Sequence, residues 1–495
     1  MKKYILILFC TTLFFSSCNL DLKPESELTY NGFWDTEEAA KAAQIGIYSK
    51  YRDYNSTLWQ MGEVRSDIWG GITIETPSSE DLIKNNISST VVHFSNWANF
   101  YGLLHYVNDF LKNAPNVTFK SETEKNHMLG QVYGIRAQIY YTLVKAYGDV
   151  PINTDPLLEV DLLKLKKKRS PKAEVMALIK SDIAKSLEYF GTNNTLWVNK
   201  KIYWSKAATL ALKGDVYLWS GKVLGGGNAD FTEAKNALNS ITGFELVSYD
   251  KLWGQANENN NEFIFAFDYQ LDQASNFYGA NTTGRAVDIR QYWNEKGEKM
   301  DKFVVNGANR YGPSDKTLTL LDDPKDARYG TFIRIYNDGV AHPVYTPNDK
   351  TYLSSILVKF LGDVAADGIR KDFNNIPLYR YADVLLMLAE AKNQLGEDPS
   401  NEINLVRKRA YGANYSPAYT YTNSSKTANA KAILDERYKE FIGEGKRWWD
   451  LVRAGDNFVF NEVTKLSASE AYKIYYSISS TMIANDPELT QTTGY

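Results

Sequence analysis

Cysteine is nearly absent from this 495-residue chain: there are two, Cys10 and Cys18, both within its first eighteen positions. A disulfide framework is thereby excluded for the body of the protein, and so is a cysteine nucleophile there. Histidine is scarce too. His93, His105, His127 and His342 are scattered, and none forms HExxH or another metal-binding spacing. Asp322, Asp323 and Asp326 resemble a calcium loop only loosely, since its glycine and terminal glutamate are missing. No metal and no cofactor is expected. There is no G-x-S-x-G elbow, and Gly443-Glu444-Gly445-Lys446 lacks the spacing of a phosphate loop. The 59 acidic residues make chance carboxylate pairs abundant, so none singles out a glycosidase. After residue 15 no stretch matches the roughly 20 apolar residues that a membrane span needs. An excess of one charge sign is also missing, with a net charge of −3. The basic run from Lys164 to Arg169 is short, so nucleic acid is not an expected partner.

What is present begins at the N-terminus. Lys2 and Lys3 precede a mostly apolar stretch, Tyr4 to Phe15, broken by Thr11 and Thr12; small Ser16 and Ser17 follow, then Cys18. A charged start, a short apolar core and a small-residue cleavage site describe a secretory signal peptide over 1–17. Ser16-Ser17-Cys18 resembles a lipobox, which implies Cys18 acylated as the new first residue rather than an incidental cysteine behind an ordinary cleaved signal, although Phe15 sits where leucine is commoner. Several acyl chains on one residue anchor stably, because each buried methylene contributes about 0.8 kcal/mol. With 44% hydrophobic residues the rest can bury a large core, and 34 Tyr and 11 Trp leave rings for a surface.

Helical periodicity dominates two long regions. Asp35 with Glu38 reads as a capping pair for a helix through Ala39, Ala42, Ala43, Ile47 and Tyr51. Another helix runs from Trp97 through Leu111 to Pro115, and a third from a Ser121/Glu124 capping box to Gly148. Ser170-Pro171 opens a helix with proline at its first position. The stretch Trp204 to Ser220 carries small Ala207, Ala208, Ala211 and Gly214, breaks at Gly225-Gly226-Gly227, and is followed by a helix capped by Asp230 and Glu233. This pair looks like a tetratricopeptide-type hairpin, without meeting the full consensus. From about 244 to 377 the periodicity fades and Gly, Asn and Asp become frequent, with one short strand suggested at Phe263 to Phe267. Long irregular segments in a compact protein are commonly functional. Helices return at Leu378, giving about ten in all around an irregular middle.

The C-terminal third carries a resemblance. Ile376-Pro377-Leu378-Tyr379-Arg380-Tyr381-Ala382-Asp383 and the following Val384 to Ala391 are very similar to the helix of SusD/RagB proteins that reads PLYRYADVLLMLAEA. Asn404 to Ala410, Ile433 to Phe441 and Glu444-Gly445-Lys446-Arg447-Trp448-Trp449-Asp450-Leu451-Val452-Arg453 follow in the family's order. Gly134 to Tyr141, Tyr147 to Pro151 and Cys18 to Pro24 match in the N-terminal half. The resemblance implies a mainly α, SusD-like fold: one domain over 18–495, with a TPR-like helical scaffold at about 30–243 and 378–460. The loops and short strands of 244–377 form a ligand-binding insertion in it. It further implies a non-enzymatic lipoprotein of the outer membrane of Bacteroidetes-type bacteria. Such proteins cap a SusC-like TonB-dependent transporter and bind oligosaccharide, or in some cases peptide. The motifs themselves read as structural. Arg447-Trp448-Trp449-Asp450 is expected to pack and clamp, and Arg380, Glu390, Arg407, Glu436 and Arg437 to pair within the scaffold.

Sugar binders combine flat rings with planar hydrogen-bonding side chains. Two regions outside the helical motifs offer that mixture: Arg65, Asp67 and Trp69 before Gly70-Gly71, and Phe277, Tyr278, Asn281, Arg290, Tyr292 and Trp293 in the irregular middle. SusD-like proteins similarly draw their ligand surface from an early loop and a mid-chain insertion. Trp97, in step with Phe100, Tyr101 and Leu104, is expected in the core.

Overall fold

The computed structural model describes residues 30–158, 166–302 and 307–495. The signal segment, Cys18 and part of the basic run lie outside them. Ten helices of eight or more residues make up the scaffold among the described residues: α1 Glu37–Arg52, α2 Ala98–Asn113, α3 Glu122–Tyr147, α4 Lys172–Phe190, α5 Lys206–Val223, α6 Gly227–Asn239, α7 Tyr381–Leu395, α8 Ser400–Tyr411, α9 Lys426–Phe441 and α10 Arg447–Ala454. From α1 to α6 each packs on the next, and α6 then packs on α7, as hairpins stack in a helical repeat. No helix among the described residues is long and apolar enough to cross a membrane.

Local chemistry explains most boundaries, and it moves some of them. Thr36, not Asp35, caps α1, because its hydroxyl accepts from the Ala39 N–H at 3.2 Å. Ser121 caps α3 by accepting from the Glu124 N–H, and Gly148 ends it at φ 71°. Pro171 stands one residue before α4 rather than inside it. The α5–α6 hairpin is close because α5 lacks side chains where α6 crosses it. A Cβ on Gly214 would stand 2.5 Å from Leu238, and one on Gly221 would stand 2.5 Å from Phe231. Helix α6 begins at Gly227, so Asp230 is not its cap; it accepts instead from the Lys180 ammonium of α4 at 2.9 Å.

The middle of the chain folds into small antiparallel sheets. Strands β1 Trp69–Gly71 and β4 Gly312–Pro313 pair, as do β2 Phe263–Phe267 and β9 Ile376–Arg380, and β7 Asp363–Val364 and β8 Arg370–Lys371. Strands β3 Trp293–Asn294, β5 Phe332–Tyr336 and β6 Tyr352–Leu357 form a three-stranded sheet in that order. The motif read as a helix from Leu378 is therefore strand first. Residues 376–380 pair with β2, Phe267 opposite Ile376, and only at Tyr381 does the chain turn into α7.

Buried charge fastens insertion to scaffold. Arg380 is fully buried and reaches Glu262 at 2.6 Å, Glu440 at 2.7 Å and Glu444 at 2.8 Å. Arg407 pairs with Glu436, Arg437 with Asp450, and Arg453 with Glu390. Arg447 clamps Asp67 with two bonds, at 2.8 and 2.9 Å, while Trp448 lies buried beneath the Arg65 guanidinium. The Arg-Trp-Trp-Asp motif thus packs and clamps. Asp326 is engaged by Arg328 and Asp322 by Arg334, so these acids serve ion pairs. No group of three or more potential metal ligands occurs among the described residues.

A cavity of about 60 Å³ lies where α3, α5 and α10 meet, lined by Lys145, Asp215 and Arg453 among others. The Lys145 ammonium rests 4.1 Å from the centre of the Tyr141 ring. Burial pushes its pKa down to about 8, although Asp215 pulls the other way. Between about pH 8 and 10.5 the unfolded chain keeps a proton that the folded chain has released, so this group makes stability rise with pH in that window. Urea unfolding of Lys145→Met should lose that rise, up to about 2 kcal/mol between pH 8 and 10 at ~1.4 kcal/mol per pKa unit. An identical pH slope in the variant would show that Lys145 does not carry it.

Candidate ligand-binding surface

The early segment leaves a π-helical turn at Gln60–Val64, enters the interior and emerges as β1. Arg65 is fully buried; its Nε donates to Asn85 Oδ1 at 3.0 Å and an Nη to the Lys473 carbonyl. The Asp67 carboxylate is enclosed between Arg447 and Lys316. Burial opposes its charge, yet these two cations hold its pKa below the ordinary value. Trp69 is 2% exposed, its indole N–H donates to Glu63 Oε1 at 3.0 Å, and Trp59, Tyr311 and Phe332 pack on its ring edge to face. Tyr278 is 1% exposed, covered by Phe277 and Phe360, and its hydroxyl donates to the Gly443 carbonyl. A ring covered on all sides offers no face to a sugar, and a buried charge is out of a surface ligand's reach. Arg65, Asp67, Trp69 and Tyr278 are therefore core residues here, contrary to the sequence-based expectation. Asn281 is half-buried and shapes a turn: its Nδ2 donates to the Phe277 carbonyl at 2.7 Å, and its own carbonyl accepts from the Arg310 N–H at 2.9 Å.

Arg290, Tyr292 and Trp293 remain at the surface. Arg290 is exposed and follows the short helix Ala286–Ile289. Tyr292 is half-buried against a small apolar cluster of Ile289, Met300, Ile335 and Ile356. Trp293 is half-buried in β3, opposite Tyr336. The close approach of Gly339 supports its ring, and the exposed Lys299 lies over it with Nζ 3.7 Å from the ring centre. A sugar stacking on Trp293 would displace a solvated side chain whose hydrogen bond goes to the Gln291 carbonyl. Close by, His342 stacks on Tyr336 at 3.9 Å with its nitrogens facing Asp338 and Asp349, which braces the loop that carries Gly339.

An early loop does meet the insertion, but it is 72–78 rather than 65–69. Ile74 joins the apolar cluster under Tyr292. The Glu75 carboxylate accepts from the Asn309 N–H at 2.6 Å, and the Ser78 N–H donates to the Arg310 carbonyl at 3.1 Å. Between the two segments runs a groove of about 500 Å³, with Glu75, Thr76, Arg285 and Arg310 among its lining residues. Exposed Ile72 and Val287 lie on the same two segments. Sequence reasoning missed Arg285, Lys299 and Arg310 because no periodicity or motif marks them. Their one signal is the joining of 71 to 312 by strand pairing, which appears only in three dimensions. Among the described residues lining the groove Glu75 is the one carboxylate, and the Asn309 N–H engages it.

The model of the SusD family matches residues 247–495, and one described as starch-binding associating with outer membrane matches residues 19–218. SusD-like protein P38 of Formosa agariphila is 25% identical, over 97% of this chain and 96% of its own. Among solved structures, NanU of Bacteroides fragilis aligns with a TM-score of 0.85 at 31% identity, covering 96% of this chain and all of its own. A SusD superfamily protein of the same organism aligns with a TM-score of 0.83 at 33% identity, covering 93% of this chain and all of its own. With a family model matched over half its length and a fold shared from end to end with such structures, the chain belongs to the SusD/RagB family.

Proposed function

We propose that this protein is a glycan-binding lipoprotein of the cell surface, which captures oligosaccharide and delivers it to a SusC-like TonB-dependent transporter without chemically altering it. The observation that carries the reading is the convergence of loop 72–78 and the insertion, where Ile74 of the loop and Tyr292, next to Trp293 in the chain, pack on one apolar cluster and a groove runs between the two segments. Rings supply flat apolar area, and the surrounding side chains and backbone supply donors. The starch-binding, outer-membrane description of the family model supports the same reading. A glycan and peptide array probed with the full-length protein in mild detergent tests it. Glycan binding is expected; binding to peptides alone would replace it with a RagB-type peptide-binding function, and turnover of a bound glycan would make the protein an enzyme.

Two outcomes test the placement in the cell. Cys18→Ala should leave a folded protein that is unprocessed or released from membranes, and a membrane fraction retaining normal amounts of it would refute lipid anchoring at that residue. Gentle solubilisation of the native protein should co-purify a barrel-sized transporter, and repeated recovery of the protein alone would count against the complex.

A further inference from the structure

Arginine in this chain is almost entirely a structural device. Of its sixteen arginines, fourteen direct the guanidinium to a carboxylate, a carbonyl or an amide oxygen within the fold. Arg290 and Arg310 are the two exceptions. Both are exposed, and neither guanidinium has a partner among the described residues. The segments that carry them meet in the fold. A Cβ on Gly284 would stand 3.0 Å from Ile289 and 4.0 Å from Asn309, the residues that directly precede the two arginines. Arg310 lines the groove between loop 72–78 and the insertion.

Three carboxylates nearby are already engaged. Asp288 accepts from Arg285 at 2.6 Å, Glu75 accepts from the Asn309 N–H, and Glu298 accepts from the Asn294 amide at 2.9 Å. The backbone carrying the arginines is fixed, with the Arg310 N–H on the Asn281 carbonyl and the Arg290 N–H on the Ala286 carbonyl. Two unsatisfied forks on a fixed frame, beside half-buried rings, suit a planar or tetrahedral oxyanion, which guanidinium binds with paired, charge-assisted hydrogen bonds. Resting on the glycan reading above, we infer that the ligand is an acidic oligosaccharide whose carboxylate or sulfate is held by Arg290 and Arg310. The rings then take the sugar faces, and the two arginines set the preference for charge.

The test uses full-length protein in mild detergent and two matched pairs of probes: oligogalacturonate with its methyl ester, and a sulfated galactan oligosaccharide with its desulfated form. An acidic member should bind at least about tenfold more tightly than its neutral counterpart, and the margin should narrow as salt screens the contact. The pair showing the margin tells carboxylate from sulfate. The double variant Arg290→Gln/Arg310→Gln should erase the margin and leave the urea midpoint unchanged, because neither guanidinium has a partner among the described residues. Equal binding of acidic and neutral members, or a margin that survives in the folded double variant, overturns the inference while the glycan reading stands. Binding of peptides and of no glycan overturns both.

Discussion

Arg380→Met is expected to yield little or no folded protein. The guanidinium is fully buried among Glu262, Glu440 and Glu444, which reach it from before β2, from the end of α9 and from the turn after α9. It also lies 4.6 Å from the centre of the Phe441 ring. Removing one partner of a buried ion pair costs about 3–5 kcal/mol, because the remaining charge is left without compensation. Here one cation serves three carboxylates, so the upper part of that range applies. Against a total stability of about 5–15 kcal/mol, that loss is a large share. The network is not wholly emptied. Arg409 and Arg328 still face Glu440, whose carboxyl they and Arg380 hold far below its ordinary pKa against the cost of burial, and Lys359 still reaches Glu444. Arg380→Lys should recover part of the loss, since one ammonium cannot replace a fork that reaches three acids. Soluble yield and the urea midpoint report the result. A variant within about 1 kcal/mol of wild type would mean that the insertion is fastened elsewhere.

The second large effect separates two tryptophans that look alike in the sequence. Trp69→Ala should destabilise the protein by about 3–5 kcal/mol, the usual cost of emptying a large buried aromatic site. The indole N–H bond to Glu63 is lost with it. Trp293→Ala should cost about 1 kcal/mol or less, because the residue is only partly buried and the cover on its face is the end of the exposed Lys299. Ligand affinity should show the opposite order. Trp293→Ala is expected to weaken binding about tenfold, equivalent to ~1.4 kcal/mol. Trp69 should matter to binding only through folding. A stable Trp69→Ala protein with impaired binding would return that residue to the ligand surface.

The helical scaffold was legible because amphipathic periods and caps are local properties. Thr36 against Asp35, and Gly227 against Asp230, show boundary errors of one to three residues, decided by which side chain reaches a free N–H. The strand at 376–380 was hidden because five residues are too few to tell strand from helix by periodicity, and its partner Phe263–Phe267 lies more than a hundred residues earlier. The site failed in a more instructive way. Arg, Asp and Trp beside two glycines look like an exposed polar loop until their partners are known. Those partners lie 408 residues away for Arg65 and 380 for Asp67, and nothing local announces them. Tyr292 and Trp293 do reach the surface, since rings in an irregular segment must either pack or face solvent. The loop 72–78 that meets them was missed, since only the pairing of β1 with β4 brings it there.

The most direct test of a non-catalytic glycan receptor with its ligand on this face is one calorimetric titration. The glycan found on the array is titrated into wild-type protein and into folded Trp293→Ala, and the sugar is recovered afterwards for analysis. The expected result is saturable binding to wild type, at least about tenfold weaker binding to the variant, and glycan recovered intact. Cleaved glycan, or equal affinity in the folded variant, would contradict the account.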